Sequence, residues 1–299
     1  MHRARTLSRD LSLSGVGLFT AAPATLHIRP RTSFGIEFII GGHAVPAHVG
    51  HVVLSPMRNS VLAADAGNPS APRVATIEHV MSALVGMGVW GATIEIDGPE
   101  VPIIDGSSLA MTDAIRDAGV APLARTPEPI IITEPLRVQD ANGASILLEP
   151  RNDDRRAMSF RYNLDYGPAA ALAPSTATWE VLLDADDTIA LDAYARDIAP
   201  ARTFCLESEA KAFAAMGLFK HLTPRDMLVI AESDTLNARR GQGIDNPLRF
   251  ADEPARHKLL DLIGDLALLG RPFVGLCTAT KSGHALSHAL CRDAMRIFA

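Results

Sequence analysis

The chain has few cysteines, no long apolar run and no dense cluster of positive charge. Its three cysteines, Cys205, Cys277 and Cys291, lie far apart and form no Cys-x-x-Cys pair. A disulfide framework is therefore not expected, and reduced thiols in a cytoplasmic protein fit the pattern better. No apolar run approaches the roughly 20 residues needed to cross a bilayer. The basic N-terminus is not followed by an apolar segment, so we expect no signal peptide.

Charge and composition narrow the class of protein further. The formal net charge is −6, and no run of Lys and Arg offsets it, which argues against a nucleic-acid partner. Hydrophobic residues make up 47% of the chain and charged residues 21%, a balance typical of globular proteins with a sizeable core. At 299 residues, the chain is long enough for two domains.

A polar tetrapeptide with two prolines, residues 126–129, follows a helical pattern and precedes a strand-like run. Such a segment predicts a linker between domains at 1–125 and 130–299. Alternating apolar and polar residues on both sides of it, for example at 25–29 and 145–149, predict short strands. Few of these patterns resemble long parallel units, so an α+β fold is favoured over a doubly wound α/β fold.

The two halves share a helix–glycine–strand pattern. In the first half, Thr76 is placed to cap a helix at 77–85, and a strand at 92–96 follows. In the second half, Asp252 is placed to cap another helix, and a strand at 273–280 follows a glycine. Although such patterns are common, this one favours two similarly built halves packed face to face.

The second of these helices carries His257, Asp261 and Asp265, each four residues from the next. On a helix this spacing places the three side chains on one face. An imidazole and a carboxylate so placed can supply two ligands to a divalent metal ion. The alternative is an ordinary i,i+4 contact on a helix surface.

Glu78 and His79 are adjacent near the start of the first predicted helix. If His79 is a metal ligand, Glu78 lies within reach of a water at that metal; otherwise the pair is an exposed Glu beside a half-buried His. Together, His79, His257 and Asp261 would form the two-His, one-carboxylate set of a hydrolytic zinc site. Because the chain lacks His-Glu-x-x-His, it is not a standard zinc peptidase.

His284 lies in a predicted loop after the last strand, where it could act as a general acid. Asp265 is a suitable partner to hold that imidazole cationic and oriented. Two alternatives remain open at this point. His284 could be a surface histidine on a glycine loop, or it could pair with His288, four residues on, as a metal-binding pair.

Seven segments of the chain resemble one known family, the zinc-dependent UDP-3-O-acyl-N-acetylglucosamine deacetylases of lipid A biosynthesis. They run in family order over nearly the whole chain. The segments are SGVGL (14–18), TIEHVMSAL (76–84), DGPEVPIIDGS (97–107), ARTF (201–204), LRF (248–250), HKLLD (257–261, with Asp265) and SGHAL (282–286).

The resemblance implies a fold of two similar α+β domains. Each would be a two-layer arrangement of a sheet and two principal helices, with the active site between the domains. It also implies a role for each matching residue. Zn²⁺ would be bound by His79, His257 and Asp261. Glu78 would be the general base and His284 the general acid, with Asp265 supporting His284 and Thr203 assisting the oxyanion. Lys258 would contact the anionic part of the substrate, and Leu18 and Phe204 would contact the acyl chain.

The chain departs from the family pattern near the substrate-binding positions. Phe19, which we include among the substrate-contacting residues, stands where the family usually has histidine. Residues 57–62 replace a Cys-Thr-Thr-Leu-like segment, Cys205 replaces a glycine, and residues 220–223 replace a Gly-Gly-Ser-like turn. These departures spare the predicted metal and acid–base residues, so they leave open which sugar or acyl group is used.

The predicted activity is therefore zinc-dependent deacetylation of an acylated UDP-amino-sugar. We expect a cytoplasmic monomer that makes transient contact with the inner membrane surface to reach its amphiphilic substrate. One alternative is a divergent paralogue that removes an N-acyl group from a different amino-sugar. Another is a non-catalytic module that binds sugar nucleotides or acyl chains, but binding alone would not require Glu78, His284 and Asp265.

Overall fold

Two mixed sheets dominate the computed structural model, which describes residues 4–184 and 187–298. The first half contains ten strands and two helices. They are β1 (Arg5–Leu7), β2 (Leu11–Val16), β3 (Pro23–Pro30), β4 (Gly35–Ile40), β5 (His43–Pro46), β6 (Val52–Val53), β7 (Val61–Ala63), β8 (Arg73–Ala75), α1 (Glu78–Gly86), β9 (Val89–Asp97), α2 (Leu109–Ala118) and β10 (Val120–Pro122).

The second half repeats much of this order, with longer insertions. Its elements are β11 (Ile130–Ile131), β12 (Leu136–Gln139), β13 (Ser145–Glu149), β14 (Ala157–Leu164), β15 (Ser175–Leu182), α3 (Thr188–Ala193), β16 (Phe204–Leu206), α4 (Glu207–Ala215), β17 (Leu228–Ile230), α5 (Glu253–Leu266), β18 (Phe273–Thr280) and α6 (His284–Phe298). A π-helical stretch, Tyr194–Ile198, continues α3.

The two main sheets are built on the same plan. In the first sheet β9 pairs with β1, β3 and β4, while β2 extends β3 and β5 extends β4. In the second sheet β18 pairs with β11, β13 and β14, while β12 extends β13 and β15 extends β14. Six strands therefore follow the same order in both sheets, and the first sheet adds β10 beside β1. Among the described residues, each main sheet takes strands from one half alone.

The principal helices lie between the sheets. Helices α1 and α2 contact the first sheet, α5 and α6 contact the second, and α1 packs directly on α5. All nine residues of α1 are buried, as expected for a helix enclosed on every side. Nowhere in the described ranges is a helix long and apolar enough to cross a membrane.

Each half contains a small insertion before one of the two crossing helices, α1 in the first half and α5 in the second. In the first half it is the three-stranded sheet β6–β7–β8, and in the second half it includes the two-stranded sheet β16–β17 with α4. Both insertions end close to the start of a principal helix. They therefore bring loop residues to the place where α1 and α5 meet.

The expectation of an α+β fold with two similarly built halves is confirmed. The predicted strand at 273–280 coincides with β18, and the strand expected at 92–96 lies within the longer β9. The assignment of Thr76 as a helix cap is wrong, because its hydroxyl donates to Glu100 Oε1 at 2.7 Å instead. Asp252 does occupy the N-cap position of α5, but its side chain makes no capping hydrogen bond. The domain boundary at 126–129 stays a prediction.

Gly264 sets how closely α1 and α5 approach each other. A Cβ atom built on this residue would lie 2.1 Å from the carbonyl oxygen of Glu78. Real side chains cannot come so near a backbone oxygen, so only glycine permits this crossing. The crossing places Glu78, the first residue of α1, beside the last turn of α5.

We predict that Gly264→Ala destabilises the protein by about 1–3 kcal/mol, since overpacking at a tight contact costs this much. Urea unfolding measures the change. Gly67→Ala, in an exposed turn where the new methyl would meet only the flexible Asp65 side chain, is the control and should change stability little. Equal stability of Gly264→Ala and the wild type would contradict a backbone contact at this point.

Candidate metal centre and acid–base pair

Three buried side chains from the two halves converge where α1 crosses α5. His79 lies in the first turn of α1, and His257 and Asp261 lie one turn apart on α5. Their candidate ligand atoms all lie within 4.8 Å of one another, and they form the one such group found in the described part of the chain. The spacing predicted from the sequence thus brings two donors together, and the helix crossing adds the third.

The ring of His257 is held with one nitrogen towards this centre. Its Nδ1 lies 3.0 Å from the carbonyl oxygen of Ala201, so that nitrogen carries the proton and donates it to the carbonyl. The other nitrogen, Nε2, is then free to bind a metal. Burial lowers the pKa of His257 to about 4, although Asp261 opposes this effect. The neutral imidazole that a metal requires is therefore the stable form.

One oxygen of Asp261 gives the clearest indication of a cation site. Its Oδ1 is buried and has no hydrogen-bond partner among the described residues. The same oxygen lies 3.6 Å from Nε2 of His79 and 3.5 Å from Nε2 of His257, which is too far for hydrogen bonds. A buried carboxylate oxygen is rarely left unpaired. Two imidazole nitrogens and a carboxylate oxygen are donors suited to a divalent metal ion, so the residues present fit a metal.

The second oxygen of Asp261 is already paired. Lys258 Nζ lies 2.7 Å from Oδ2. Burial opposes ionisation of Asp261, but Lys258 and His257 outweigh it and hold the pKa of the carboxyl well below its usual range. Asp261 is therefore charged, with one oxygen bound to Lys258 and the other facing the two imidazoles.

Glu78 lies beside this donor set at the start of α1. Its Oε2 accepts a hydrogen bond of 3.0 Å from the backbone N–H of Ser60, and its Oε1 lies 3.8 Å from His284 Nε2. Burial raises the pKa of Glu78, while the nearby imidazoles of His284 and His79 partly oppose the rise. A carboxylate whose pKa is raised toward neutrality is suited to accept a proton.

His284 and Asp265 form a buried ion pair on the other side of Glu78. The Nδ1 of His284 lies 2.8 Å from Asp265 Oδ2. Burial alone would disfavour the imidazolium, but the carboxylates of Asp265 and Glu78 outweigh it and raise the pKa of His284 to about 9. His284 is therefore cationic near neutral pH, with Nε2 directed towards Glu78 and Asp261.

The alternative metal pair of His284 and His288 is not formed. The rings are 6.3 Å apart, and both histidines point towards Asp265. Sequence reasoning did not single out Ser60, whose hydroxyl contacts Asp265 and His288. The i,i+4 spacing predicts that His284 and His288 share one face of a helix. Ser60 comes from a distant loop, so no local sequence pattern connects it with these two residues.

The expected acyl-chain residues line a cavity that opens on the metal donors at one end. We call it the apolar cavity because its far wall is apolar. Leu18, Phe19, Thr203 and Phe204 all line this cavity together with the donor set. Its far wall is an apolar cluster separate from the main core. The cluster consists of Leu18, Ile103, Cys205 and Met227, with Phe19, Ala210, Phe213, Phe219, Leu222 and Val229 packed against them.

Aromatic rings close this cavity at one end. Phe219 lies 5.4 Å from Phe19 and 5.0 Å from Phe213, measured between ring centroids. His221 adds a hydrogen bond from its Nε2 to the carbonyl oxygen of Gly17 at 3.1 Å, which ties the second insertion to the loop after β2. Several positions where the chain departs from the family pattern therefore line this cavity, among them Phe19, Met57 and Cys205.

A second cavity of about 480 Å³ adjoins the site. Lys258, His284 and Tyr166 line both cavities. Lys281 lines the second cavity, where its Nζ lies 2.9 Å from Asp165 Oδ2. Lys258 is thus placed between the two cavities, and its contact with the anionic part of the substrate stays a prediction.

Thr203 reaches the apolar cavity from a firmly held backbone. Its N–H donates to the carbonyl oxygen of Gly106 at 2.6 Å, and its own carbonyl accepts from Leu228 N–H at 2.9 Å. The bond to Gly106 joins the two halves, and the bond from Leu228 holds Thr203 within the second half. Within the described residues no hydrogen bond is assigned to the hydroxyl of Thr203, which lies on the cavity wall that it shares with His79 and Asp261.

A buried set of nitrogen and oxygen donors beside a carboxylate base and a cationic imidazole is the arrangement of a metal-dependent hydrolase. The chain matches the model of the UDP-3-O-acyl N-acetylglycosamine deacetylase family over residues 4–296. It therefore belongs to this family of deacetylases, which are hydrolases.

Relatives carry the same description over nearly their whole length. The UDP-3-O-acyl-N-acetylglucosamine deacetylase of Anaeromyxobacter dehalogenans (strain 2CP-C) is 37% identical over 294 residues, covering 97% of this chain and 87% of the relative. That of Myxococcus xanthus (strain DK1622) is 35% identical, covering 97% and 86%. That of Leptospira biflexa serovar Patoc (strain Patoc 1 / Ames) is 33% identical, covering 99% and 90%.

We predict that His257→Ala loses the metal. Removing a ligand should weaken binding by more than about 100-fold, beyond the 10–100-fold typical of losing only a hydrogen-bond partner of a ligand. Metal analysis after dialysis against a weak chelator measures the loss. His27→Ala, on β3 and with its ring hydrogen bonded to Ser12, is the control and should keep the metal. Full metal content in His257→Ala would show that the donor set is assigned wrongly.

Proposed function

We propose that the protein removes the N-acetyl group of UDP-3-O-acyl-N-acetylglucosamine by zinc-dependent hydrolysis, an early step of lipid A biosynthesis that releases acetate. The observation that carries this proposal is one juxtaposition. The donors His79, His257 and Asp261 lie within 4.8 Å of one another, directly beside Glu78 and the His284–Asp265 pair. Membership of the deacetylase family supports the choice of substrate.

The donor set favours zinc among the divalent metals. Hydrolytic zinc sites combine three protein ligands of this kind with an open position. When bound, zinc supplies Lewis-acid polarisation of the amide carbonyl and a lower pKa for the attacking water. His79, His257 and Asp261 would hold it, with Ala201 and Lys258 orienting two of these ligands.

We assign Glu78 as the general base. Its raised pKa suits it to accept the proton of the attacking water, because the best catalytic base has a pKa near the working pH. The backbone N–H of Ser60 binds Oε2, so Oε1 is the oxygen free to take the proton. That oxygen lies 3.8 Å from Nε2 of His284, so the base and the acid would act on the same amide group.

We assign His284 as the general acid. Asp265 binds Nδ1 and keeps the imidazole charged, so the proton on Nε2 is available to the departing sugar amine. The hydroxyl of Thr203 would donate a hydrogen bond to the oxyanion that forms as water adds to the amide carbon. Loss of the amine then yields acetate and the free amino-sugar.

The two cavities suit the two ends of an acylated sugar nucleotide. The apolar cavity with Leu18, Phe19 and Phe204 would take the acyl chain. Lys258, between the cavities, would contact the anionic part of the substrate. The second cavity offers Lys281 as a further cation. This division would place the N-acetyl group of the sugar near the donor set.

We further propose a cytoplasmic location, a monomeric state and transient contact with the inner membrane surface. The amphiphilic substrate supports the membrane contact, and three free, buried cysteines fit a reducing compartment. The presence of both acid–base groups beside the metal donors supports catalysis over a purely binding role.

We predict that Glu78→Ala keeps the metal but lowers deacetylation by roughly 10²–10⁴-fold, the usual contribution of a general base. Acetate release from UDP-3-O-(3-hydroxyacyl)-N-acetylglucosamine and metal content are measured on the same preparations. Glu95→Ala, an exposed carboxylate on β9 paired with Arg29, is the control and should match the wild type. Zinc-loaded wild-type protein that fails to turn over this substrate would refute the proposed activity.

We predict that Asp265→Asn shifts the alkaline limb of the pH profile of kcat/KM to lower pH by roughly 1–3 units. The carboxylate raises the pKa of His284 to about 9, and removing an adjacent opposite charge lowers a pKa by this amount. The acid form of His284 is then lost at lower pH. Asp293→Asn, an exposed residue of the same helix as His284, is the control. An unmoved alkaline limb would exclude His284 as the acid that Asp265 supports.

A further inference from the structure

Ser60 contacts both the base and the partner of the acid, although it lies outside the principal helices. It directly precedes β7 in the first insertion, and its side chain is completely buried. Its backbone N–H donates to Glu78 Oε2 at 3.0 Å. Its Oγ lies 2.7 Å from Asp265 Oδ1 and 2.8 Å from His288 Nε2.

The chemistry of these groups fixes the direction of each hydrogen bond. Asp265 is ionised, because its two imidazole partners outweigh burial and lower its pKa, and an ionised carboxylate can only accept. The single hydroxyl proton of Ser60 is therefore donated to Asp265. The oxygen of Ser60 then accepts from His288, whose Nε2 must carry a proton.

Both oxygens of the Asp265 carboxylate therefore have a hydrogen-bond partner. Oδ2 binds His284 Nδ1 at 2.8 Å. Oδ1 binds the hydroxyl of Ser60 and lies 3.5 Å from His288 Nε2. Rotation of the carboxylate would break the bond to Ser60, so Ser60 holds the carboxylate plane in which His284 is bound.

We propose that Ser60 is a positioning residue that sets the general base and the general acid relative to each other. Its N–H holds Glu78 and its hydroxyl holds Asp265, which in turn orients His284. His288 completes the arrangement by fixing the hydroxyl of Ser60. This inference rests on the proposed function for the roles of Glu78 and His284.

A serine that merely satisfies buried groups would behave differently. Ser82 on α1 offers the matched case, because it is equally buried and its hydroxyl bonds Tyr194 Oη at 2.9 Å. Loss of either hydroxyl should lower the stability by a similar amount, because each loss leaves a buried partner unpaired. Only the loss at Ser60 should change the catalytic step.

The kinetic experiment compares Ser60→Ala and Ser82→Ala in the zinc-loaded enzyme. We expect Ser60→Ala to keep its metal and its KM within about twofold while kcat falls about 10- to 100-fold, the scale of a misplaced catalytic group. Ser82→Ala should keep the wild-type kcat. Ser60→Thr, which retains the hydroxyl, should keep most of the activity.

A double variant separates positioning from a general loss of structure. If Ser60 acts through Asp265, Ser60→Ala should lower kcat little further in the Asp265→Asn background, because interacting residues are non-additive. If the two losses multiply in full, Ser60 does not act through Asp265 and the proposal fails.

A measurement without substrate keeps this test independent of the proposed activity. In the zinc-loaded protein, nitrogen-15 NMR of the imidazole of His284 reports its bond to Asp265. We expect the signals of His284 to move in Ser60→Ala and to stay in place in Ser82→Ala. Unchanged His284 signals in Ser60→Ala would overturn the proposal even if the wild type deacetylates its substrate. Failure of the wild type to turn over would instead count against the proposed activity.

Discussion

The close crossing of α1 and α5 is the contact on which the site depends. Neither half holds a complete donor set, because His79 comes from α1 and both His257 and Asp261 come from α5. Gly264 allows the helices to meet at the backbone of Glu78. The helices form the metal site and the acid–base pair when they pack against each other and against both sheets, in the same step that forms the core. Metal binding and folding are therefore thermodynamically linked.

Three carboxylates share one small buried region, and their surroundings separate them chemically. Asp261 and Asp265 each face cationic or imidazole partners that lower their pKa values. Burial raises the pKa of Glu78 and outweighs the opposing imidazoles of His284 and His79. Opposite shifts in neighbouring groups are how a single site assigns distinct acid and base roles. The position of each carboxylate relative to the helix crossing thus decides its chemistry.

Much of the site could be predicted from local spacing, because helical periodicity places residues four apart on one face. His257 and Asp261 were found in this way, and the repeated helix–glycine–strand pattern anticipated the common plan of the two sheets. Ser60 could not be found in this way, since its partners Glu78 and Asp265 lie 18 and 205 residues away. The expected helix cap at Thr76 is wrong because its hydroxyl has a tertiary partner, Glu100, that competes with the helix end. Local rules fail where long-range hydrogen bonds take over.

The apolar cavity is walled by a cluster that is separate from the main core. Substitutions there change the length and shape of the cavity without disturbing the helix crossing, since the cluster and the crossing share no packed side chain among those described. In the proposed enzyme, the cavity that takes the acyl chain and the helix crossing that forms the metal site are therefore built from different side chains. Phe19 and Leu222, at two of the departures from the family pattern, pack in this cluster, whereas Ser60, within the departing segment 57–62, contacts the catalytic carboxylates. A change in the accepted acyl chain therefore requires no change in the side chains that hold the metal.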